Sequence, residues 1–248
     1  MSGTVRSISK ALYAVAILGI AVAAAAQSPL DQDWHQWSSD VCMKILTDSP
    51  WVTTAQPQDP KNVQRAVLIS SLLVREAMLR EMQIHQKYDT MSPEKRQEFD
   101  KQTAHCVSDS LYSQVIVVRV WTWPPVDVNS LDKFAKLSIS DRSAVGPTFR
   151  LGVPALDPPA SCGSENFPWQ HVLTAMDKEH DDWNRAHPGS GGSSDFQQPT
   201  YELFYPKSVA GKSLIQPGDR TMVLNWGEKG DQFTFHLADL IYKDKLDF

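Results

Sequence analysis

The chain has 248 residues and carries 24 Lys+Arg against 29 Asp+Glu, a net charge of −5, with 42% hydrophobic residues. That length and apolar content support one sizeable core. The acidic balance, with no basic run along the sequence, argues against nucleic acid or anionic lipid as a partner.

The first 26 residues read as an export signal. Arg6 and Lys10 form a positive start, ALYAVAILGIAVAAAA is an apolar stretch of helical length, and Ala24-Ala25-Ala26 before Gln27 is an A-x-A type cleavage site. The strongly apolar part falls short of the ~20 residues a membrane span requires, and no second long apolar run follows. A secreted or periplasmic protein is expected, with no membrane span after signal cleavage. Cleavage removes two cations and leaves 222 residues with a net charge of −7.

In the mature chain, Trp34, Trp37, Val41, Cys42, Ile45 and Leu46 keep the spacing of one helical face, and the helix ends at Asp48-Ser49-Pro50. AVLISS is a short β-like run. LVREAMLREMQIHQKY is a helix of strong helix formers, in which Glu76 and Arg80, four apart, are placed to pair. Ser92-Pro93-Glu94 starts the next helix with a capping hydroxyl, a proline and an acid; Phe99, Thr103, Cys106, Val107 and Leu111 lie along one side. SQVIVVRVWTW is the clearest strand, rich in β-branched and aromatic residues.

Between Val126 and Ala160 the signal weakens to a short helix at SLDKFAKLS and a strand at PTFRLGVPA. Residues 161–195 read as an inserted helix, FPWQHVLTAMDKEHDDWNRAH, followed by the flexible loop PGSGGSS. The remainder is β: TYELFYP, then RTMVLNW, DQFTFHL and LIYKDKLDF, the last three as an antiparallel meander. Ala210-Gly211-Lys212-Ser213 looks like the tail of a phosphate loop. It lies between predicted strands and has Pro206 at the first glycine position, so it reads as a hairpin turn.

The order of these segments resembles a family of exported bacterial proteins of unknown function. The resemblance rests on LTDSPW closing the first helix, VREA, SPEKRQEFD, the VRV strand, YELFYP and the closing FTFHLADLIYKDKL. It covers about two thirds of the mature chain in pieces, and Leu72 and Leu73 stand where the family carries small or polar residues. The resemblance implies export and an α+β layout. It implies no activity.

Three cysteines in an exported chain leave one unpaired. Cys42 and Cys106 fall on apolar helix faces, so a bridge between packed helices is expected there, with Cys162 able to replace either partner. Trp121 and Trp123, two apart on a strand, project from one face; exposed, they would form a binding surface, and otherwise they belong to the sheet core. Asp177, His180 and Asp181 are within reach of one another on the inserted helix and offer half of a metal site, with His105, His171 or His236 completing it. The plainer alternative packs His180 on the apolar stripe of Trp169, Met176 and Trp183.

No HExxH, CxxC or GxSxG motif is present. One α+β domain over 27–248 is expected, mainly antiparallel, with helices packed on one side. The function expected of it is that of a non-catalytic binding or envelope-associated module. It would need no cofactor, and its partner would be a protein or a glycan. A metal-assisted hydrolase centred on Asp177, His180 and Asp181 is the alternative.

Overall fold

The computed structural model describes residues 29–55, 64–108, 112–122, 135–140, 142–153, 200–226 and 231–248. It is an α+β fold built on antiparallel strands. Among the described residues there are three α-helices, α1 (Ser39–Thr47), α2 (Leu72–His85) and α3 (Pro93–Val107), all from the first half of the chain. Serines start all three. Ser38, Ser71 and Ser92 accept the amides of Val41, Val74 and Lys95 through their side chains, and Pro93 fills the first position of α3. The first helix is shorter than expected, because Trp34–Gln36 forms a separate 3-10 turn before the Ser38 cap.

The larger sheet has the strand order β1-β2-β3-β6-β5, from β1 (Val52–Thr54), β2 (Gln64–Leu68), β3 (Val115–Thr122), β6 (Thr200–Pro206) and β5 (Phe149–Val153). All of its pairings are antiparallel. The smaller sheet runs β10-β9-β4, from β10 (Asp231–His236), β9 (Thr221–Trp226) and β4 (Lys136–Ile139). The part of SLDKFAKLS that is described is thus a strand and not the expected helix. Leu137 and Ile139 are buried while Lys136 is exposed and Ser138 half-buried, a period of two that a pairing with β9 rewards.

The two sheets meet through aromatic side chains. The Tyr201 ring on β6 lies 5.7 Å from that of Trp226 on β9, and the Tyr205 hydroxyl donates to the Ala135 carbonyl at 3.0 Å. β3 lies between β2 and β6 and is buried on both faces over seven consecutive residues, Ile116–Thr122. That explains its run of β-branched residues, which lacks the alternation of a half-wet strand.

Two small hairpins complete the described fold: β7 (Ser208–Val209) with β8 (Lys212–Ser213), and β11 (Ile241–Tyr242) with β12 (Lys245–Leu246). The first contains the AGKS stretch as a hairpin turn, with positive φ at Ala210 and Gly211 (50° and 75°). The second corrects the meander: β9 and β10 pair, but the chain then folds into its own hairpin at Lys243-Asp244, both at positive φ. Among the described residues no helix is long and apolar enough to cross a membrane.

A basic groove as the candidate functional site

Helix α2 sets the site, and it is unusual in being encased. Every residue from Leu73 to Gln83 is buried, including Arg75, Glu76, Arg80 and Glu81. Buried charges persist only where hydrogen bonds or counter-charges hold them. Here each has a separate anchor. Arg75 donates through Nη1 to the carbonyls of Cys106 and Ser108, at 2.9 and 3.1 Å, and its guanidinium lies 4.1 Å from the centre of the Tyr112 ring. Glu76 accepts from the Tyr242 hydroxyl at 2.5 Å and from Lys243 Nζ at 2.7 Å. Arg80 donates to Trp37 O and Asp89, and Glu81 accepts from Ser39. Glu76 and Arg80 are therefore not partners, contrary to their four-residue spacing, because tertiary neighbours claim both.

The N-terminal turn of α2 is closed by a residue from the far end of the chain. Asp247 accepts the amides of Leu72 (2.7 Å) and Leu73 (3.0 Å) and the Ser71 hydroxyl (2.6 Å), while its carbonyl takes Trp51 Nε1 at 2.8 Å. A carboxylate there meets both the free amides and the positive end of the helix dipole. The β11–β12 hairpin is thereby fixed across the start of α2.

Between that hairpin, the turn of α2 and the segment Tyr112–Val115 lies a groove in two joined parts. One, of about 350 Å³, is lined by Leu72, Arg75, Tyr112, Lys243, Lys245 and Leu246 among others. The second, of about 650 Å³, shares Ser113, Lys207 and Phe248 with it and extends past Thr148, Pro206, Ser208 and Ser213. Its described charged side chains are Arg75, Lys207, Lys243, Lys245 and Asp247; Lys243 is paired with the buried Glu76, Arg75 is held on the Cys106 and Ser108 carbonyls, and the Asp247 carboxylate is turned onto α2. Lys207 Nζ sits 4.5 Å from the centre of the Phe248 ring, and Lys243 Nζ lies 4.8 Å from that of Tyr242. With Arg75 on Tyr112, three cations of the groove rest on aromatic faces. The chain as a whole is acidic. The fold thus brings to one surface cations that the sequence scatters over residues 75 to 245.

The residues singled out from sequence have other fates. Trp121 is 2% exposed in β3, paired opposite Arg65 and Thr200, so it is a core residue and not a binding face. Trp123 lies outside the described residues, as do Asp177, His180, Asp181, His171 and the expected signal segment. His236 is exposed on β10. Among the described residues no group of three metal-ligating side chains is present.

The expected Cys42–Cys106 bridge is not formed. Cys42 is a buried free thiol, and Cys106 is disulfide-bonded. Burial, followed by the charge of Glu81, pushes the Cys42 thiol up to about 12. An apolar helix face identifies a buried cysteine. It does not say which cysteine its sulfur meets. The basic groove itself was missed because its cations are far apart in sequence; Lys243 and Lys245 were visible only as polar positions in a terminal strand.

No protein-family model matches the chain, and no curated protein or solved structure matches it.

Proposed function

We propose that the protein is an exported, non-catalytic binding module that holds an anionic partner in the groove between α2 and the β11–β12 hairpin. The observation that carries this reading is the exposed Lys245, with no acidic partner among the described residues, at a concave surface that Lys207, Leu246 and Phe248 also line. An unpaired cation at a concave surface attracts the opposite charge. The buried charges of α2 favour a structural role for that helix, since each is fixed on a named neighbour. The signal-like start favours action outside the cytoplasm.

The test has two parts. Fractionation of cells expressing the full chain should place the processed protein in the periplasm or medium, and retention with the cytoplasm removes the export half of the proposal. Immobilised mature protein should retain a partner from envelope extract, less of it as salt is raised, and a Lys245→Glu variant should retain less than the native chain. Stoichiometric zinc or manganese that disappears in His180→Ala would replace the proposal with metal-assisted chemistry.

A further inference from the structure

We infer that the β11–β12 hairpin is a latch that opens and closes on α2 as one unit while both sheets stay folded, and that the groove exists only while the latch is closed. Two reciprocal carboxylates carry the inference. Glu76, buried on α2, is held by the Tyr242 hydroxyl at 2.5 Å and Lys243 Nζ at 2.7 Å, both from the hairpin. Asp247, at the end of the hairpin, is held by the Leu72 and Leu73 amides and the Ser71 hydroxyl, all from the start of α2. Each element thus supplies the donors for the other's acid.

That reciprocity makes the two locks act together. Freeing Tyr242 and Lys243 alone leaves the hairpin covering an acid that has lost its donors, and freeing Asp247 alone leaves covered amides without an acceptor. Both half-open states are costly, whereas full opening returns every one of these groups to water.

The hairpin does not hold its own shape. Its strands are two residues each, and a short isolated hairpin is marginal in water. Its turn places Lys243 and Asp244 at φ of 50° and 61°, where glycine or asparagine is the usual choice; the β7–β8 turn has Gly211 at the second of these positions. From Ile241 to Leu246 every residue except Tyr242 is exposed. Beyond the two locks, the Tyr242 ring packs on the core, Trp51 Nε1 donates to the Asp247 carbonyl, and Phe248 lies against Lys207. Leu240, fully buried at the foot of the hairpin, is the hinge. Since α2 is encased, the hairpin is the partner that moves.

The consequence falls on the groove. Tyr242, Lys243, Lys245, Leu246, Asp247 and Phe248 form one wall of its smaller part, and opening the latch removes that wall. A partner that needs the wall therefore favours the closed state.

The experiment is native-state hydrogen exchange on the purified protein, followed by NMR at rising urea below the unfolding transition. The reporting amides are Leu72 and Leu73, on the Asp247 carboxylate, and Asp247 itself, on the Leu240 carbonyl at 2.8 Å. All three should share one protection factor, at least about ten-fold below those of Val118 and Val120 in β3. Tyr242→Phe removes a donor from Glu76 and touches neither leucine amide, yet it should speed all three by about ten-fold. Tyr88→Phe removes a hydroxyl–carboxylate bond to Asp100 instead, and should leave the three unchanged. Protection equal to that of β3 would mean that these amides open only with the whole fold, and overturns the latch. A Tyr242→Phe effect confined to Asp247, or one matched by Tyr88→Phe, overturns it as well. No partner enters this measurement, so it stands apart from the binding reading. Lys245-dependent capture of an envelope partner with β3-like protection keeps that reading and discards the latch, and the converse result does the opposite.

Discussion

The Asp247 carboxylate accepts the backbone amide of Leu72 at 2.7 Å across a separation of 175 residues. One side chain thus joins the tail of the chain to the first turn of its most buried helix. Ser71 acts as the local cap through Val74, and Asp247 satisfies the amides that Ser71 cannot reach. Replacing Asp247 by Ala strands two amides and the Ser71 hydroxyl, and a loss of about 1–3 kcal/mol is expected. Asp247→Asn keeps one acceptor oxygen and should lose less. Urea denaturation of the two variants checks the order, and equal stability of Asp247→Ala and the native chain would refute it.

A second expectation concerns the ion pair at the heart of the larger sheet. Arg119 on β3 lies opposite Glu202 on β6, with Nε donating to Oε1 at 2.6 Å, and the two are 4% and 0% exposed. Burial pulls the Arg119 guanidinium down to about 9, and the adjacent carboxylate favours its charged form. Glu202→Gln leaves a buried cation without its counter-charge and should cost about 3–5 kcal/mol. The double variant Arg119→Met, Glu202→Leu should recover most of that loss, because neither charge then needs desolvating. A double-mutant cycle in denaturant measures this, and a double variant no better than the single one would show that the pair is not the source.

The cysteines give a chemical test. Cys42 is fully buried with its thiol pushed up to about 12, so it should resist a disulfide reagent in the native protein and react once when unfolded without reductant. Peptide mapping without reductant should recover Cys106 in a disulfide and Cys42 as a free thiol. Reduction should also loosen the carbonyl end of α3, where Arg75 is anchored. Rapid native labelling at Cys42 would contradict its burial.

Alkaline pH should act through two tyrosines. Burial raises Tyr205 above the usual tyrosine value, and burial together with the hydrogen bond to Glu76 raises Tyr242. Both stay protonated in the folded chain at a pH where the unfolded chain loses those protons. Their contribution is complete below about pH 10 and declines as the pH climbs above it. Denaturation midpoints measured from about pH 8 to 11 should fall along that limb. Tyr242→Phe should flatten the fall, at the expense of the Glu76 bond at neutral pH. An identical alkaline slope in the variant would count against the assignment.

Much of the layout was legible in the residues themselves, and for local reasons. Serine caps, Pro93 and strong helix formers placed α2 and α3, and the β-branched runs placed β2, β3, β6 and β9. The AGKS stretch read as a turn from its place between two predicted strands, and the structure has that turn with Gly211 at a φ of 75°. Where local signals were weak, partners decided the outcome, as in Lys136–Ile139, which is a strand because β9 lies beside it.

The candidate site was hidden for a different reason. Charge along a sequence says how many cations exist, but their effect depends on which of them share a surface. The sequence by itself determined the α+β class, the caps and the likeness of the first residues to an export signal, all properties set by neighbours within a few positions. Only the tertiary structure decided that Cys42 stays unpaired, that Trp121 is core and that Glu76 binds Tyr242 in preference to Arg80. It also brought Arg75, Lys207, Lys243 and Lys245 around one groove, because Asp247 holds the chain's last hairpin against the start of α2. Contacts between residues more than a hundred positions apart leave no periodicity to read, and they are what this site is made of.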